Sequence, residues 1–170
     1  MDQVKDRVEL AAPAQPGLRG FWSLIGTQFQ GAFNDNALKM VVTFAGLSMA
    51  LSPAMHSALV PLTAGLFSLP FILFSMAGGF LADRLSKRTV TIGLKLLEIL
   101  IMVFALAGLL LGSLPMGLAA IFLMGTQSAF FGPSKYGLLP ELLPERRLSW
   151  GNGILELGTF LAIISGMAAL

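Results

Sequence analysis

Five long apolar runs dominate the chain: Phe21 to Leu47, Ser57 to Ala82, Val90 to Gly112, Met116 to Gly132 and Ile154 to Leu170. Each has the length of a helix crossing a hydrocarbon core about 30 Å thick. Lipid offers no hydrogen bonds to backbone groups, so a spanning segment is either a helix or a strand of a closed barrel. None of the runs alternates apolar and polar residues with a period of two, and helices are predicted over about 21–47, 57–82, 90–112, 116–137 and 151–170. Composition points the same way. With 55% hydrophobic and 12% charged residues and a mean hydropathy of +0.80, too little polar surface exists to cover a water-soluble globule. The expectation is an all-α membrane protein, with residues 1–20 forming a polar tail and 21–170 a helical bundle.

Lysine and arginine placement orients such a bundle. Lys5, Arg7 and Arg19 precede the first run, Arg84, Lys87 and Arg88 lie in the second connection, and Lys135, Arg146 and Arg147 lie around the fourth, while the first and third connections hold none. The amino terminus and the even-numbered connections are therefore expected in the cytoplasm, and the chain's end at or near the outer face. The tail has no apolar h-region and reads as a retained cytoplasmic segment rather than a signal peptide.

Lys39 and Lys95 are the two basic residues left inside runs, and both have acidic company. In GAFNDNALKM, Gly31 to Met40, a rise of about 1.5 Å per residue puts Asp35 roughly 21 Å and Lys39 roughly 27 Å along a helix that starts at Phe21. The mildest insertion scales set about 2.5 to 3.5 kcal/mol against one charge at that depth. A helical i,i+4 ion pair returns only about 0.2 to 0.5 kcal/mol. At about 100° per residue, Gln28, Asp35 and Lys39 share one stripe with Gly31 and Val42 beside it. Such a stripe is either the wall of a hydrated cavity or one side of an interhelical polar clamp. Asn34 and Asn36 point elsewhere, toward neighbouring helices. Lys95 and Glu98 lie one turn apart in the third run, as do Asn152 and Glu156 at the fifth. They extend the charged set toward the cytoplasmic side, unless the stem of Lys95 snorkels to the interface.

The second connection, GFLADRLSKR from Gly79 to Arg88, resembles the loop between the second and third helices of the major facilitator superfamily. Small residues there let helices approach, Asp83 is placed to accept from a helix amino terminus, and three cations are placed for carbonyl ends or headgroups. The resemblance implies a twelve-helix protein of which this chain holds the first five. It gives Gly79, Asp83, Arg84, Lys87 and Arg88 the part of a conformational latch in alternating access. Further motifs, TQFQGAFNDNALK, GLKLLE at Gly93 to Glu98, GPSKYGLLPEL at Gly132 to Leu142 and WGNGILELGTFLAIISG at Trp150 to Gly166, resemble the lysophospholipid transporter family. That resemblance implies flipping of lysophospholipids across the bacterial inner membrane for reacylation, and roles for Asp35, Lys95, Lys135, Asn152 and Glu156. It also implies membrane lipids as surroundings, a carboxy-terminal transporter half, and an acyltransferase/acyl-acyl-carrier-protein synthetase fused to the chain or encoded beside it.

The chemistry of that substrate matches the polar set. A lysophospholipid carries a phosphate, often a primary amine, and one acyl chain, so its carrier needs a cation, an anion and an apolar slot. Lys39 or Lys95 is the candidate for phosphate, and Asp35 or Glu156 for the amine. Phe29, Phe33, Phe130 and Phe131 either line the slot or pack between helices. Pro133 and Gly137 are expected to kink or end the fourth helix, and Gly108 with Gly112 to form a close-packing face.

Catalysis finds no support in the residues. Acyltransferases of this kind use an H-x4-D pair, and the single histidine, His56, has Pro61 at the fifth position after it. No Gly-Lys-Ser/Thr occurs, so nucleotide-driven transport lacks its phosphate loop. With no cysteine, neither a thiol nucleophile nor a thiolate metal site exists. No cofactor, metal or nucleic acid is expected. The competing readings are the membrane portion of a fused acyltransferase whose catalytic domains lie elsewhere, a facilitator carrier for another small solute, and a purely structural membrane module.

Overall fold

The computed structural model describes residues 18–169 of the chain. Most of the tail expected at 1–20, including Lys5 and Arg7, lies outside the described residues, as does Leu170. Five α-helices follow one another: α1 (Leu18–Leu47), α2 (Pro53–Arg84), α3 (Lys87–Leu110), α4 (Leu114–Leu142) and α5 (Leu148–Ala168), with a 3-10 turn (Glu145–Arg147) ahead of the last. The helices α2 to α4, and the stretch Glu145–Ala168 containing α5, are long and apolar enough to cross a membrane. The chain is a multi-pass helical membrane protein. The exception, α1, has 30 residues and the needed length, but Gln28, Gln30, Asn34, Asp35, Asn36 and Lys39 dilute its apolar content.

Short polar connections set the boundaries. Ser52 caps α2 by accepting from the Met55 N–H, with Pro53 in the first helical positions, and Ser86 caps α3 by accepting from Thr89 N–H. At the far end of α3 the Ser113 N–H reaches the Gly108 carbonyl and the Gly112 N–H reaches Leu109. This Schellman closure needs a left-handed residue, and Gly112 supplies it with φ +62°. Gly112 therefore serves the turn and not the packing face expected of it. Gly108 does pack closely, because a Cβ there would fall 2.8 Å from Met116 Cβ.

The fourth helix neither stops nor breaks at Pro133 and Gly137; α4 runs through Pro133 and Pro140 to Leu142. Pro133 lacks the N–H that would serve the Ala129 carbonyl. Gly78 of α2 is drawn up against that carbonyl, where a Cβ would stand 3.0 Å from the oxygen. Tertiary packing covers the orphaned acceptor and the helix continues.

α4 is the central element, with its largest contacts to α2 and α3 and a further one to α1, while α5 packs along α1. Two apolar clusters result. One gathers Phe21, Leu24, Val90, Leu94, Phe131, Leu139 and Leu143, and the other gathers Leu38, Val42, Ile101, Ala105, Ala120, Ile121 and Met124. Between them runs a layer of buried polar residues that includes Glu98 and Gln127. Outward, Ile72, Met76 and Leu110 are each more than three-quarters exposed, as a surface solvated by lipid tails requires.

Lipid supplies no hydrophobic drive between helices, so close backbone approach carries much of the packing. The tightest approach is at Gly125, where a Cβ would collide with the Phe67 carbonyl of α2. Gly125→Ala is expected to lower the thermal midpoint of the detergent-purified full-length protein by an amount equal to about 1 to 3 kcal/mol of overpacking. Gly65→Ala, facing open space, is expected to leave it unchanged or raise it slightly.

Candidate functional site

The buried polar layer is organised by Glu98, whose residue is 1% exposed. Its Oε2 pairs with Lys95 Nζ at 2.6 Å, and its Oε1 accepts from Asn34 Nδ2 at 2.7 Å and from Gln30 Nε2 at 3.0 Å. Lys95 also donates to Gln30 Oε1. The lysine reaches these partners across Gly31, where a Cβ would fall 2.7 Å from Nζ. A carboxylate at this depth would be very costly alone, and three donors bring it within reach of stability. The snorkelling alternative for Lys95 is not what the structure shows, since its ammonium is turned inward.

Beside this layer α1, α2, α4 and α5, with Lys95 of α3, line an open-sided cavity of about 610 Å³. Gln28, Gly31, Asp35 and Lys39 of α1 line it together, so the stripe read from the sequence is its wall. Asp35 Oδ2 accepts from Ser128 Oγ at 2.9 Å, while Oδ1 is buried with no hydrogen-bond partner among the described residues. Lys39 does not pair with Asp35 in a clamp; its Nζ lies over the Phe67 ring, 4.3 Å from the centroid. Lys135 is buried, lines the cavity and has its Nζ over the Tyr136 ring. The two ion pairs among the described residues are Lys95–Glu98 and Lys87–Glu141, so neither Lys39 nor Lys135 belongs to one. Gln28 is tied to Thr159 of α5 at 2.9 Å.

The remaining candidates scatter. Glu98 is in the polar layer and borders a second groove of about 490 Å³ between α1 and α3. Glu156 accepts from Tyr136 Oη at 2.7 Å, acts electrostatically on Lys135 and is not part of the cavity's lining. Asn152 is exposed and away from it, because the first turn of α5 faces it outward. Asn34 reaches α3 as expected, but Asn36 bonds the Ala32 carbonyl of its own helix and lines the cavity. Of the four phenylalanines proposed for an acyl slot, Phe131 reaches the lining, and Phe67 and Phe71 of α2 join it; Phe130 stacks on Phe74. Gln30, Gln127, Ser128, Tyr136 and Thr159 were not foreseen. The i,i+4 spacing of Gln30 and Asn34 was the available signal for one of them.

In the second connection Asp83 is exposed, and the cap of α3 is Ser86. Arg84 covers Phe80 and Arg88 is exposed. Lys87 crosses Gly137, whose Cβ would collide with the lysine stem, to reach Glu141 at the end of α4. Gly79 faces open space, and the close packing foreseen for the glycines falls to Gly78.

No family model matches the chain, and no solved structure matches it. Over 154 residues, 89% of the chain, it is 34% identical to the lysophospholipid transporter LplT of Cronobacter sakazakii, and equally to the proteins of that name from Salmonella newport and Salmonella heidelberg. The chain is similar to lysophospholipid transporters. The resemblance read from its motifs and the comparison with these transporters agree. The chain spans about a third of the length of these relatives, 36% of the first and 35% of the other two.

Glu98→Leu is expected to lower stability by about 3 to 5 kcal/mol, because it strands a buried lysine. Adding Lys95→Met should recover most of the loss. Thermal unfolding of the full-length protein compares the single with the double variant.

Proposed function

We propose that the chain is the amino-terminal part of a major facilitator carrier that flips lysophospholipids across the bacterial inner membrane for reacylation. The observation that carries the proposal is the cavity, which joins Asp35, with one oxygen unsatisfied, to two lysines outside any ion pair and an aromatic wall of Phe67 and Phe71. That is the donor set for a head group with phosphate and amine attached to a single acyl chain. The names of the relatives support the same substrate class.

In this reading Lys39 takes the phosphate, Asp35 the ammonium, and the phenylalanines the first carbons of the tail. Lys95, Glu98, Gln28, Asn152 and Glu156 then act around the site and not on the substrate: the first three hold α1 in register and Glu156 fixes Tyr136. The positive-inside asymmetry supports a cytoplasmic amino terminus. Trp22 and Trp150, clustered edge-on or tilted with Phe21 where α1 and α5 begin, are placed as interface anchors on that side. The Lys87–Glu141 bridge, with Gly79, Asp83, Arg84 and Arg88 around it, belongs to the latch that holds one state of the cycle. A second helical half faces the cavity, and an acyltransferase/acyl-acyl-carrier-protein synthetase, fused or separate, consumes the flipped lipid.

Uptake of labelled lysophosphatidylethanolamine into membrane vesicles bearing the full-length protein tests the proposal. Asp35→Asn and Lys39→Gln are each expected to cut uptake by about 10- to 100-fold at matched expression, the size of one lost charged hydrogen bond. Wild-type uptake no greater than that of empty vesicles would leave a carrier of another solute.

A further inference from the structure

α1 and α4 run antiparallel, which fixes the order of charges along the cavity. Gly117 packs on Val42, Ser128 bonds Asp35, and Gly20 packs on Leu142. Asp35 and Ser128 therefore share one level. Lys39 lies four residues farther along α1, roughly 6 Å toward the end where α3 and α4 connect, and Lys135 lies seven residues beyond Ser128, roughly 10 Å in the opposite direction. Lys95 also borders the cavity, but Glu98 neutralises it at 2.6 Å. Outside the two ion pairs, the charges along the cavity thus run lysine, aspartate, lysine over about 16 Å, with Glu156 acting on Lys135 from outside the lining.

The geometry points to two phosphate stations that share one ammonium site. Resting on the substrate class proposed above, a zwitterionic head group engages Lys39 with its phosphate and Asp35 with its ammonium at one stage, and Lys135 with its phosphate at the next. The ammonium pivots on Asp35, whose unsatisfied Oδ1 leaves an acceptor for it in either pose. Each lysine is poised for exchange, since its ammonium rests on an aromatic face that yields to a phosphate more readily than a carboxylate would. A single station would hold the head group at one depth. Two stations on either side of a fixed anion let it move along the membrane normal without losing both partners at once.

The test uses the purified full-length protein and lysophosphatidylethanolamine, with equilibrium binding and vesicle uptake measured separately. Lys39→Gln and Lys135→Gln are each expected to weaken binding by no more than about threefold, because the other station remains, yet to reduce uptake at least about tenfold. The double variant is expected to weaken binding by about 10- to 100-fold. Lys135→Arg keeps the cation and should retain uptake, which separates a station from a merely structural lysine. Wild-type uptake by Lys135→Gln, or a Lys39→Gln variant that loses as much binding as the double, would overturn the second station while leaving the substrate class standing. A wild-type protein that neither binds nor moves the lipid would overturn both.

Discussion

A carboxylate at membrane depth has to be surrounded by donors, and the rotation of α1 follows from how Glu98 finds them. Gln30 and Asn34 lie one turn apart on the helix face that meets α3, and both bond the same Oε1. Successive residues turn about 100°, so fixing Asn34 toward α3 aims Asp35 a quarter-turn away. That direction is the cavity, where Gln28 and Lys39 share it. Gly31 falls between the two polar faces, and its missing side chain is the space through which Lys95 reaches Glu98. The buried pair adds little net stability by itself; its consequence is register.

Register along the helices comes from a different source. Gly125 against the Phe67 carbonyl, Gly166 against the Phe33 carbonyl and Gly78 against the Ala129 carbonyl are backbone-to-backbone contacts that tolerate no Cβ without movement. Each pins one level of one helix to one level of another, which apolar side chains sliding in lipid would not do. Because α4 is gripped in this way from α2, its two internal prolines, Pro133 and Pro140, leave it continuous, and Ser128 and Lys135 arrive at defined heights in the cavity.

Much of this was legible because it depends on period alone. The five helices, the stripe of Gln28, Asp35 and Lys39, and the inward reach of Asn34 follow from run length and an angle per residue. Gln127 and Ser128 were not legible, since they interrupt an apolar run no more than any small polar pair does, and their meaning appears only when α4 is set antiparallel to α1. Asn152 misled for the complementary reason: it lies one turn before Glu156, but the opening turn of α5 leaves it outside the packed face. Asp83 was read as a cap because an acidic residue before a helix usually serves that way, whereas Ser86 stands closer to the first orphan N–H and takes the bond.

The polar residues of this membrane bundle divide into two groups by whether their valences are filled. Glu98 has every oxygen bonded, and with Lys95, Gln30 and Asn34 it forms a closed set whose loss is felt as instability. Asp35, Lys39 and Lys135 are left with an unbonded oxygen and two ammonium groups resting on aromatic rings. Full satisfaction of these three within the protein would stabilise the bundle further, and natural sequences leave such gaps where function occupies them. The same three residues line one cavity, so a ligand carrying the complementary charges supplies in one binding event the partners that the helices withhold. On the proposed reading the unsatisfied set is therefore the substrate's share of the hydrogen-bond network, and the satisfied set is the frame that keeps it aimed.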